Sequence, residues 1–110
     1  MRRASGPSVS TLEATQLLNY KDANVLDVRA EAEFRAGHLT AARHLPLADL
    51  ATRMKEIERL KKRPLIVFAA NDRDAGAACR SLRAQGFEQV FNLAGGVRAW
   101  REAGLPLVTD

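Results

Sequence analysis

A chain of 110 residues with 46% hydrophobic and 27% charged side chains can bury one core and is too short for two domains. Its single cysteine rules out an internal disulfide, and one Cys with two His cannot close a structural zinc site. The net charge of +4 comes from 17 basic residues interspersed with 13 acidic ones, beside only one Trp, one Tyr and four Phe, so no nucleic-acid partner is expected.

Residues 1 to 7, MRRASGP, lack the apolar middle of a signal peptide and read as a flexible basic lead-in. No run approaches the roughly 18 apolar residues of a membrane span. Arg2 and Arg3 would suit the cytoplasmic flank of a membrane helix outside this chain. With a lone thiol that fits a reducing compartment, the expectation is a cytoplasmic protein, membrane-associated only through such an upstream segment.

Ser10 opens a helix. In STLE its hydroxyl can cap the third helical N–H while Glu13 reaches back, and Leu12, Gln16 and Leu17 continue the turn until Asn19 and Lys21-Asp22. NVLDV, 24 to 28, reads as a strand buried on both faces. RAEAEFRAGH gives a turn or two of helix ended by Gly37, and ARHLPL, 42 to 47, a short strand that Pro46 leaves. Leu47, Leu50, Met54 and Ile57 recur at helical spacing between charged residues, which predicts an amphipathic helix; Lys61-Lys62-Arg63 suit its end and Pro64 stops it.

LIVFA, 65 to 69, is the most apolar strand and is expected at the centre of the sheet. A helix over about 75 to 85 should stop at Gly86. QVFNL is a further strand, AGG a tight turn, and 97 to 103 a last short helix ending at Gly104. Strands alternating with helices predict an α/β domain with a mainly parallel sheet covered on both faces.

Two blocks now stand out in order: VLDVRAEAEFRAGHLTAARHLPL, 25 to 47, and LRAQGFEQVFNLAGGVRAWREAGLP, 82 to 106. Together they resemble the rhodanese, or sulfurtransferase, homology domain over nearly the whole chain. The resemblance implies a single-domain rhodanese-like fold with a five-stranded sheet over residues 8 to 110. Asp27 and Arg29, at the carboxyl end of a buried strand, are read as an architectural ion pair that Glu33 joins. His38 is read as a hydrogen-bonded, partly buried histidine fixing its turn rather than a general base, since a lone His has no nucleophile to serve. Gly95 and Gly96 allow a tight turn, and Trp100 anchors the core.

Active members of this family carry a cysteine at the end of the central strand. Its loop amides and the following helix lower the thiol pKa and hold the persulfide charge. Counting back from Gly86-Phe87, that position falls on Ala69, and the loop on Ala69, Ala70, Asn71, Asp72, Arg73 and Asp74. A methyl group cannot attack a sulfur donor. Asp72 replaces the usual glycine, Asp74 the usual arginine, and Arg73 sits in another register; Asp74 is expected to cap the helix. Cys79 shares a helix face with Ala75, Ala78 and Leu82 and reads as a small buried hydrophobe.

The resemblance therefore implies a catalytically inactive binding or regulatory module, with no catalytic residue, cofactor or metal, whose partner is a protein or a small cation-bearing group at the loop mouth. The alternative is a sulfurtransferase that uses an unconventional cysteine or a partner's. A solely structural role in a membrane-tethered protein is a third reading. A monomer is expected.

Overall fold

The computed structural model describes residues 8–109, and the basic lead-in of residues 1 to 7 lies outside them. In chain order the elements are β1 (Ser8–Val9), α1 (Thr11–Tyr20), β2 (Asn24–Asp27), α2 (Glu31–Ala36), β3 (Arg43–His44), 3-10 segments at Leu47–Asp49 and Met54–Leu60, β4 (Leu65–Phe68), α3 (Asp72–Ala84), β5 (Val90–Leu93) and α4 (Gly96–Glu102). The five strands form one sheet in the order β1-β5-β4-β2-β3, every neighbouring pair parallel. β4 is central, as its composition predicts.

Side-chain alternation along β4 divides the core. Leu65, Val67 and Ala69 join a cluster with Leu50, Ile57, Ala75, Cys79 and Leu82 on one face. Ile66 and Phe68 join Val9, Ala14, Leu39, Leu93 and Trp100 on the other. Burial on both faces is why this strand reads as an unbroken apolar run.

The capping box at α1 forms as expected: the Glu13 N–H donates to Ser10 Oγ at 3.1 Å and the Ser10 N–H to Glu13 Oε1 at 2.8 Å. The helix expected from Leu47 to Lys61-Lys62-Arg63 is instead two 3-10 segments, the second ending at Leu60. The apolar face was read correctly, since Leu50, Ile57 and Leu60 are buried and Leu47 and Met54 pack against them. Met54, Ile57 and Leu60 recur every third residue, which matches three residues per turn rather than 3.6. The strand expected over 42 to 47 shrinks to Arg43–His44. β1, the fifth strand, has only two residues, too few to leave a periodic signal.

Candidate functional site

β4 ends at Phe68, and the chain leaves the sheet through Ala69, buried to 1% exposure at the carboxyl edge. In parallel α/β sheets this edge is where ligands bind. The connection to α3 is short. Asn71, in extended conformation, caps the helix, its Oδ1 accepting the Asp74 N–H at 2.8 Å. The expected six-residue loop is thus three residues, Ala69 to Asn71, and Asp72, Arg73 and Asp74 form the first turn of α3. Asp74 is therefore not the cap. Asn caps as well as Asp, and with Asn71 in that place both carboxylates fall where the positive end of the helix dipole stabilises them.

The second glycine-rich turn closes over this connection. Asp72 Oδ1 accepts the Gly95 N–H at 3.1 Å, and the Ala69 carbonyl accepts the Val97 N–H at 3.4 Å. Gly96, at φ +57°, lies directly against the Ala69 carbonyl oxygen. Three backbone N–H groups at the edge, those of Asp74, Gly95 and Val97, are committed to acceptors within the chain. With two exposed or half-exposed carboxylates beside them, the mouth disfavours an incoming anion.

Cys79 lies in α3, fully buried in the cluster of β4 and the 3-10 segments. Burial pushes its thiol up to about 11, against the smaller opposing effect of the Arg83 and Arg80 charges. It has no access to the mouth as a thiolate nucleophile. Among the described residues, no group of three or more His, Cys, Asp or Glu side chains is placed to hold a metal ion.

The motif residues of the first block build the wall beside this edge. Arg29 and Asp27 are both buried and paired, Nη2 to Oδ2 at 2.8 Å, and Arg29 Nη2 also donates to the Gly37 carbonyl at 2.6 Å. The guanidinium carbon sits 5.1 Å from the Phe68 ring centre, so one side chain joins the end of β2, the end of α2 and the tip of β4. Glu33 does not join this network as expected; its Oε1 accepts the Ala30 N–H at 3.3 Å and closes the start of α2. As the third residue of α2, Glu33 reaches back to the cap residue three positions upstream and is held at the start of its own helix.

His38 is 4% exposed, with Nδ1 2.8 Å from the Phe34 carbonyl, and bridges Val108 through the backbone. Because a carbonyl only accepts, Nδ1 carries the proton. The sequence reading missed His44. Its Nε2 donates to the Arg29 carbonyl at 2.8 Å, and both imidazoles stack on Phe34, His38 at 3.9 Å and His44 at 4.3 Å between ring centres. The Phe34–His38 half was visible as an i, i+4 pair at the end of a short helix. Trp100 packs edge-on against Phe68 and donates Nε1–H to the Pro106 carbonyl at 3.0 Å, the anchoring role expected of it.

The described residues contain no helix long and apolar enough to cross a membrane. The sequence profile of the rhodanese-like domain matches residues 10–103. Protein YibN of Escherichia coli strain K12 is 37% identical over 97 residues, which are 87% of this chain and 68% of that protein. A protein named sulfurtransferase from Allochromatium vinosum is 34% identical over 93 residues, 84% of this chain and 85% of that one. The solution structure of the rhodanese-like domain of Anabaena Alr3790 superposes with a TM-score of 0.82 at 30% identity, covering 94% of this chain and 80% of that one. The chain belongs to the rhodanese-like domain family.

Proposed function

We propose that this domain has lost the sulfur-transfer chemistry of its family and serves as a binding or regulatory module. The reading rests on Ala69 at the tip of the central strand, the position to which the family resemblance assigns the nucleophile, and it is supported by the burial of the single thiol in the core. The acidic first turn of α3 supports a partner that presents positive charge: a protein surface with exposed Lys or Arg, or a small cation-bearing group. Transfer through Cys79 draws no support from a thiol held near 11 by burial. A partner's cysteine would have to bring the chemistry with it.

The test is a thiosulfate:cyanide sulfurtransferase assay, with intact-mass analysis after thiosulfate treatment. The expected result is no turnover above the uncatalysed rate and no added sulfur atom on the native chain. Turnover, or an added sulfur, that disappears in Cys79→Ser would overturn the proposal.

A further inference from the structure

We infer that the outer face of α1 is a self-complementary surface through which two copies of this chain pair. α1 buries only Ala14. Leu12 and Tyr20, 66% and 79% exposed, are two of the three exposed large hydrophobics among the described residues, and both stand on this helix. Beside them runs a groove of about 460 Å³ walled by Val9, Leu17, Tyr20 and Phe91, with Glu13 and Lys21 on its rim. Solvent-facing apolar side chains gathered along a charged rim mark an interaction surface more often than a bare one.

The pattern along α1 names the partner. Leu12, Gln16 and Tyr20 form one row at four-residue spacing; Glu13, Leu17 and Lys21 form the next. A second α1, laid antiparallel about a two-fold axis through Gln16 and Leu17, brings Leu12 against Tyr20 of the other copy and Glu13 against its Lys21. Each contact then occurs twice, as an isologous interface requires. A parallel arrangement would oppose Glu13 to Glu13 and Lys21 to Lys21. The Glu13 side chain is already oriented, since the capping box holds its Oε1 on the Ser10 N–H at 2.8 Å. An ordered carboxylate loses little freedom on pairing. The neighbouring sheet edge, β1, has two residues and offers little ladder to a partner strand, so the helix face carries the association.

Sedimentation velocity on the full chain, from about 10 μM to about 1 mM, tests this. The expected result is a concentration-dependent dimer. Lys21→Glu, at an exposed position, sets two glutamates face to face and should raise Kd at least about tenfold at low salt, with a smaller change at about 0.5 M salt as the charges are screened. Leu12→Glu, which the positive start of the helix favours, should remove the dimer. A monomer at every concentration overturns the inference. So does a dimer whose Kd either substitution leaves unchanged, or one that responds to Lys21→Glu equally at both salts.

Discussion

Gly96 lies against the carbonyl oxygen of Ala69, with no room for a methyl group between them and a φ of +57° that side chains rarely adopt. This contact locks the start of α4 onto the exit from the central strand. It makes the Gly-Gly turn part of the candidate site although it is 26 residues downstream of Ala69.

Gly96→Ala should therefore be costly. The left-handed conformation accounts for about 1–2 kcal/mol and the overlap with Ala69 for a further 1–3 kcal/mol. Thermal unfolding should show a Tm lowered by roughly 10 °C or more. A change under about 2 °C would show that the turn relaxes freely and does not fix the site.

Ala69→Cys places a thiol at the tip of β4. Asp72 and Asp74 in the adjoining turn oppose its ionisation. Weak sulfurtransferase activity is expected, rising at least about tenfold when Asp72→Gly and Asp74→Arg are added, as the thiolate fraction increases. Equal activity of the single and triple variants would refute the electrostatic account of the mouth.

Cys79 should resist alkylation at pH 8 in the folded protein and react on unfolding. Its folded thiol titrates near 11 against a reference of 9.0. The unfolded chain thus loses this proton first as pH rises, so the stabilising contribution is complete below pH 9 and is lost between about pH 9 and 11. A two-unit difference corresponds to about 3 kcal/mol. Unfolding curves for wild type and Cys79→Ala should therefore converge across that window, by an amount of this order. Parallel curves would contradict the burial.

Asn71 and Asp74 separate the two capping assignments. Asn71→Ala should cost about 1 kcal/mol as the Asp74 N–H loses its acceptor. Asp74→Asn should cost only the dipole contribution, about 0.3–1 kcal/mol and screened by salt. Denaturant titrations of both variants would show the reverse order if Asp74 were the cap.

What was legible in the sequence followed the range of the interaction responsible. Ser10 and Glu13 are three residues apart, so their capping box could be read directly. The unbroken run at 65 to 69 announced a strand covered on both faces. Asn71 was overlooked because the loop length was taken from the family resemblance rather than from Asn71's own capping ability. His44 left no local mark: its ring reaches Phe34 only because β3 lies beside β2, ten residues further along the chain than the partner it stacks on. Glu33 was assigned to Arg29 by proximity in sequence, and the start of its own helix claimed it instead.

The sealed position of Cys79 has one further consequence. Enzymes that depend on an exposed, low-pKa thiolate are silenced by peroxides, which carry the sulfur to sulfenic acid and beyond. This chain keeps its only thiol out of reach in the core, so a peroxide meeting the folded domain finds no exposed, low-pKa thiolate to oxidise.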